Sequence, residues 1–126
     1  MPLVRIDLPE HIPPERRRAL ADVVYAAMRE TLNVPDGDRF QIIAEHPPAA
    51  LIIDPAYLGI ARGKDALIIQ ITLNEGRTVA MKQAFFKAVA DGAQALAGMR
   101  REDVFNSLVE VKKENWSFGN GIAQYA

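Results

Sequence analysis

Three residues in this sequence are suited by type to move a proton beside a carbonyl: Pro2, Asp38 and Arg77. Pro2 stands directly behind the initiator methionine, and a second residue this small lets an aminopeptidase remove Met1 and leave Pro2 as a free secondary amine. An α-amino group titrates near about pH 7.7–8.0, closer to neutrality than a lysine. It can therefore act as general acid or general base in water near neutral pH. Desolvation or a nearby cation lowers that value, and a nearby carboxylate raises it. Asp38 offers a carboxylate that can orient a substrate or a water, and Arg77 a planar guanidinium that can grip a carboxylate in bidentate fashion. Brought into one pocket, the three suit a small oxo acid. Taken singly, each has a plainer use. Met-Pro is an ordinary start, Asp38 sits in a Pro-Asp-Gly-Asp run that favours a turn, and Arg77 fits a solvated surface.

The elements that would position them follow from periodicity. Leu3 to Leu8 alternates like a strand, which Pro9 ends. Pro13-Pro14 suits a first helical turn. From Glu15 to about Leu32 the residues Leu20, Val24, Ala27, Met28 and Leu32 form one apolar stripe, stopped by Asn33 to Gly37. Phe40 to Ala44 reads as a second strand closed by Pro47-Pro48, Leu51 to Ile53 as a short strand, and Asp54 to Asp65 as a loop. Ala66 to Leu73 is a long apolar strand, followed by a turn at Asn74-Glu75-Gly76 and a helix N-cap at Thr78. The helix Val79 to Leu96 places Met81, Phe85, Val89, Gly92 and Leu96 on one face, with Gly92 weakening it by ~1 kcal/mol relative to alanine. Arg100 to Asp103 turns the chain into a last strand, Val104 to Val111.

The two halves superpose without a gap at a constant offset of 65 residues, which carries Leu3 onto Ile68. Arg17 then falls on Lys82, Leu20 on Phe85, Val24 on Val89, Asp38 on Asp103, Phe40 on Phe105 and Glu45 on Glu110. This predicts an α/β fold of duplicated β-α-β units, spanning about 1–50 and 66–111. With right-handed crossovers the units form a four-stranded mixed sheet with both helices on one face, related by a pseudo-twofold axis. The other face is expected to be rich in Ile, Val and Leu and to need covering. The tail, 112–126, carries Trp116, Phe118 and Tyr125 among glycines and polar residues, and is expected to pack over that face, against a partner, or around a small ligand as an apolar wall.

Composition narrows the classes. At 126 residues, 49% hydrophobic and 25% charged, the chain fits a single globular domain. A formal net charge of −1 gives no field that would recruit nucleic acid or an anionic membrane. The absence of cysteine removes disulfides, thiolate nucleophiles and Cys-based zinc sites. With no signal-like leader and no membrane-length apolar run, a cytoplasmic location is expected. His11 and His46 stand alone in sequence, without an acid at metal-binding spacing. Gly59 to Lys64 resembles a phosphate loop only faintly, because it precedes a strand rather than a helix. Arg16-Arg17-Arg18 reads as a solvated helix face.

With Pro2 behind the initiator and the βαβ duplication at this length, the sequence resembles the tautomerase superfamily. Val34 to Gln41 (VPDGDRFQ) and Trp116 to Gly121 (WSFGNG) are similar to its malonate semialdehyde decarboxylase branch, and the likeness runs nearly end to end. The resemblance implies a homotrimer, no cofactor, and an amino-terminal proline as catalytic acid or base. It implies that Pro2 has that role, Asp38 that of the partner carboxylate, and Arg77 that of the second of two arginines gripping a substrate carboxylate. Trp116, Phe118 and Tyr125 match the apolar wall, Tyr125 standing where that decarboxylase has phenylalanine. One departure matters: the first of the two arginines is Glu75 here. A carboxylate there weakens a two-arginine clamp, or pairs with Arg77. The expectation is therefore a tautomerase acting on a small oxo acid, ahead of a 3-oxo acid decarboxylase. A non-catalytic trimeric binding protein is the reading if Met1 stays in place.

Overall fold

The elements of the computed structural model, which describes residues 2–126, run in the order β1 (Leu3–Pro9), α1 (Pro14–Thr31), β2 (Gln41–His46), β3 (Leu67–Asn74), α2 (Val79–Leu96) and β4 (Val104–Val111). Met1, and with it the expected trimming, lies outside the described residues. The strands form one mixed sheet in the order β2-β1-β3-β4, parallel within each half and antiparallel between β1 and β3 at the centre.

The duplication extends to the register. Val4 pairs with Gln41 and Ile6 with Ile43 in the first half; Ile69 pairs with Asn106 and Ile71 with Leu108 in the second, each at the same offset. A cross-link repeats as well. Arg17 meets Glu45 at 2.8 Å, and Lys82 meets Glu110 at 2.6 Å, each tying a helix to the last strand of its own half. The helix ends are also equivalent: Asn33 after α1 and Gly98 after α2 both take the left-handed conformation, at φ 57° and 64°. Each end is capped by an arginine from the other half. Arg16 Nε donates to the Ala97 carbonyl at 3.1 Å, and Arg77 Nε to the Leu32 carbonyl at 3.2 Å. Cations on the last carbonyls of a helix satisfy acceptors that lack an intrahelical partner. Arg16 and Arg17 thus have structural work, the latter also donating to the Ile12 carbonyl at 2.6 Å, rather than forming a purely solvated face.

The core lies between the helices and one side of the sheet. Val4, Ile6 and Leu8 from β1 and Leu67, Ile69, Ile71 and Leu73 from β3 meet Leu20, Val24, Met28, Phe85 and Val89. Thr78 caps α2 as expected, its Oγ1 accepting from the Met81 amide at 3.2 Å. The expected stripe on α2 needs correcting at its end: the buried row runs Phe85, Val89, Ala93 and on to Ala97, while Leu96 is 74% exposed. Steps of four rather than three keep the row on the sheet. Gly92 serves contact between helices, for a Cβ there would stand 2.7 Å from Val23 Cγ1.

Other expectations also change. Leu51 to Ile53 forms no strand; with both edges of the sheet already set by β2 and β4, this segment is part of an irregular arm between β2 and β3. The face away from the helices is mixed rather than uniformly apolar. Leu3, Ile42, Phe105 and Val109 are there and exposed, but so are Arg5 and Gln70, beside a half-buried, ion-paired Asp7. The reason is strict alternation: β1 spends its aliphatic residues Val4, Ile6 and Leu8 on the helix side. No helix among the described residues is long and apolar enough to cross a membrane.

Candidate active site

Parallel pairing of β1 and β2 brings the residues before each strand together, and the Val4 amide donates to the Phe40 carbonyl at 2.9 Å. Pro2, buried at the start of β1, is thereby set beside the chain that leads from Asp38 into β2. An open cleft of about 230 Å³ forms there, lined by Pro2, Leu3, Phe40, Trp116, Ser117 and Phe118. The tail folds back to build its wall. Trp116 and Phe118 stack at 5.6 Å between ring centres, Tyr125 meets Phe118 edge-on at 5.4 Å, and Phe40 approaches Phe118 at 6.2 Å. Gln124 holds the bend, accepting from the Phe118 amide at 3.0 Å and donating to the Gly119 carbonyl at 3.1 Å. Of the expected wall residues, Trp116 and Phe118 face the cleft, and Tyr125 backs Phe118. Phe40 is a wall residue not expected from the sequence, although its match to Phe105 at the 65-residue offset marked it as part of the repeat.

Asp38 is 7% exposed, and neither carboxylate oxygen has a hydrogen-bond partner among the described residues. Burial pushes its pKa above the usual aspartate range, opposed by the Arg77 guanidinium. A buried carboxylate without partners is unfavourable for folding, and such groups concentrate where charge is used. Arg77 lies at the start of α2, half-buried. Its Nε and Nη2 donate to the Leu32 carbonyl at 3.2 and 3.0 Å, and Nη1 to the Asn74 carbonyl at 3.0 Å. A guanidinium has five N–H groups, so both terminal nitrogens keep a second N–H without a partner among the described residues. Asn74, itself 8% exposed, joins the two parts of the site: its Oδ1 accepts from Trp116 Nε1 at 2.7 Å. Asp38 and Arg77 do not line this open cleft; they are linked to it through β2 and through Asn74–Trp116 respectively. Glu75 is exposed and makes no ion pair with Arg77 or any other cation among the described residues.

Two residues expected to be isolated are paired. His11 Nε2 lies 2.6 Å from Asp65 Oδ1, and His46 Nε2 lies 2.6 Å from Asp7 Oδ1. Both line a hollow of about 410 Å³ at the opposite end of the sheet, with Lys64. That hollow is larger than the Pro2 cleft, but it lacks an amino-terminal secondary amine and an aromatic wall. Among the described residues no three His, Asp or Glu side chains are grouped to hold a metal ion.

Comparison with known proteins identifies the family of the chain. Two family models described as tautomerase enzyme match residues 38–119 and 2–60. The chain is also 36% identical to the probable tautomerase YusQ of Bacillus subtilis (strain 168), with 98% of each chain covered. The chain belongs to the tautomerase family. Within it, the structure superposes on FG41 malonate semialdehyde decarboxylase inhibited by 3-bromopropiolate with a TM-score of 0.92 and 41% identity, over 98% of this chain and 93% of that one. Its tautomerase fold is shared with a fused 4-OT wild-type symmetric trimer, at a TM-score of 0.79 and 24% identity over 98% and 97% of the two chains.

Proposed function

We propose that this protein is a cofactor-independent tautomerase that interconverts the enol and keto forms of a small oxo acid, with Pro2 as the proton shuttle once Met1 is removed. The observation that carries this reading is the cleft at Pro2, walled by Phe40, Trp116 and Phe118, with the buried, unpartnered Asp38 carboxylate alongside. In the ketonising direction the protonated Pro2 amine gives its proton to the enol carbon. The C=C electron pair forms the new C–H bond, the C–O bond becomes C=O, and the enol O–H proton leaves to Asp38 or to a water it orients. Exchange with solvent then restores both groups. A substrate that reaches beyond the cleft lining meets the free N–H groups of Arg77, which hold its carboxylate, while the aromatic wall shields one side of it from water. A homotrimer is part of the reading: Leu3, Ile42, Phe105 and Val109 leave apolar area uncovered on the open sheet face.

Decarboxylation of malonate semialdehyde or a similar 3-oxo acid is the second reading, favoured by the likeness to FG41 malonate semialdehyde decarboxylase. It requires the departing carboxylate to be held out of conjugation while positive charge stabilises the developing enolate. Glu75, exposed and unpaired, supplies the opposite charge near Arg77 in sequence. Both reactions are to be assayed on one preparation whose intact mass shows Met1 removed. Ready ketonisation of phenylenolpyruvate with weak or no decarboxylation of malonate semialdehyde supports the tautomerase. Efficient decarboxylation reverses the order, and retention of Met1 in active protein removes Pro2 as the catalytic amine.

A further inference from the structure

The duplication gives Asp38 a counterpart, Asp103, and the two are held in different ways. The turn that carries each is the same. The Asp38 amide donates to the Pro35 carbonyl at 3.2 Å, and the Asp103 amide to the Arg100 carbonyl at 3.0 Å. In the second half the carboxylate itself is tied down: Asp103 Oδ1 accepts from the Gly63 amide at 2.7 Å and lies 3.7 Å from Arg100 Nη1. In the first half both carboxylate oxygens of Asp38 lack a partner among the described residues. A buried carboxylate without partners gains by moving out to water, and the turn before it is exposed at Asp36 and Gly37. What keeps Asp38 in place must therefore act on the turn and not on the carboxylate.

Tyr25 of α1 grips that turn. Its hydroxyl accepts from the Gly37 amide at 2.9 Å and donates to Asp36 Oδ1 at 3.0 Å, so the two residues directly before Asp38 are fastened to one atom. The ring that carries the hydroxyl is itself fixed. It packs against the core, and the Arg39 guanidinium lies over its face, 4.7 Å from the centroid. Arg39 follows Asp38 directly and is anchored in turn to Asp22 at 2.6 Å and to Gln41 at 2.9 Å. Ala90 stands for Tyr25 in the second half, where the turn meets α2 through a side-chain pair, Arg101 to Asp91 at 2.9 Å. The half that engages its carboxylate thus has no hydroxyl on the turn's backbone, and the half that has the hydroxyl leaves its carboxylate free.

We propose that Tyr25 is a positioning residue for Asp38, holding the carboxylate in place through the Asp36-Gly37 turn while leaving both of its oxygens for the substrate or a water. Its effect on turnover rests on the part given to Asp38 in the proposed reaction; its effect on where the carboxylate sits does not. A proton acceptor fixed by its backbone keeps its geometry without sharing its lone pairs, which is what a reacting group requires.

Tyr25→Phe tests this, because it keeps the ring and its contact with Arg39 and removes only the hydroxyl. Two readouts are taken on the full-length protein with Met1 removed: NMR titration of the Asp38 carboxyl carbon, assigned by its loss in Asp38→Asn, and steady-state ketonisation of phenylenolpyruvate. With the turn released, the Asp38 carboxyl should reach water and titrate lower than in wild type, nearer the ordinary 3.8. The kcat should fall about tenfold with KM little changed, as for a misplaced reacting group. Added to Asp38→Asn, Tyr25→Phe should lower kcat no further, whereas a general weakening of the fold lowers it in both backgrounds. An unchanged Asp38 titration in Tyr25→Phe, or an equal fall in kcat with and without Asp38, would overturn the proposal. If Asp38→Asn is fully active, the part given to Asp38 in the reaction fails, and the carboxyl titration alone decides the role of Tyr25.

Discussion

Trp116 donates its indole N–H to Oδ1 of Asn74 at 2.7 Å, and Asn74 in turn receives Arg77 on its backbone carbonyl. A single buried amide thus sets the distance between the aromatic wall and the candidate carboxylate anchor. Asn74→Ala removes only the indole partner, since the carbonyl to Arg77 remains. Trp116 is the one tryptophan, so its emission reports the change. The variant should show red-shifted, more readily quenched fluorescence and a several-fold higher KM for phenylenolpyruvate, with a near-native melting temperature. Unchanged emission and KM would separate Asn74 from the site.

Asp38 should limit stability. Burial raises its pKa in the folded state, so the fold binds that proton more tightly than the unfolded chain. The sign follows from linkage: as pH rises from the ordinary value of 3.8 through the raised folded value, wild-type stability falls, and above it the whole penalty is present. Asp38→Asn should therefore melt higher than wild type at pH 7, with the gain closing below pH 3.8, while tautomerase activity drops. Thermal melts at several pH values check the first part, and steady-state kinetics the second.

Asp65 should behave in the opposite sense. The hydrogen bond from His11, reinforced by Arg16, holds its carboxyl below the ordinary 3.8. A depressed folded pKa gives stability that is present above 3.8 and lost as pH falls through the folded value. Asp65→Asn should cost about 1.5 kcal/mol at neutral pH, the size of a hydrogen bond to a charged group, and less in acid. Denaturant titrations at pH 6.5 and in acid measure both.

Gly92→Ala sets helix propensity against packing. Alanine favours the helix by ~1 kcal/mol, but its Cβ would lie 2.7 Å from Val23 Cγ1. A β-branched valine in a helix has little χ1 freedom to retreat, and overpacking costs about 1–3 kcal/mol. The single variant should be less stable than wild type, and Val23→Ala added to it should recover part of the loss.

These residues also show where the sequence was informative. The repeat is legible because Arg17, Leu20, Phe40 and Glu45 recur in kind at one offset; in space Arg17–Glu45 and Lys82–Glu110 are duplicated ion pairs, and Leu20 and Phe85 both lie in the core. Pro2, Trp116 and Phe118 could be assigned to one cleft through the family resemblance, which draws on local segments. What is not legible is pairing across long separations. His11–Asp65 and His46–Asp7 join residues that no local spacing connects, and Asn74 looks like the start of a turn until Trp116 reaches it. The end of α2 misleads for a different reason: Leu96 is apolar enough to continue a buried stripe, but steps of four carry the buried row through Ala93 to Ala97 and turn Leu96 to solvent.

The most direct test is the rate of phenylenolpyruvate ketonisation by Pro2→Ala, after mass spectrometry has shown Met1 removed from both variant and wild type. Alanine leaves a primary amine of different basicity at the same place. If Pro2 moves the proton, kcat/KM should fall by about 10²-fold or more, within the range of general acid–base catalysis, with the melting temperature and oligomeric state retained. An unchanged kcat/KM in the folded variant would contradict the account.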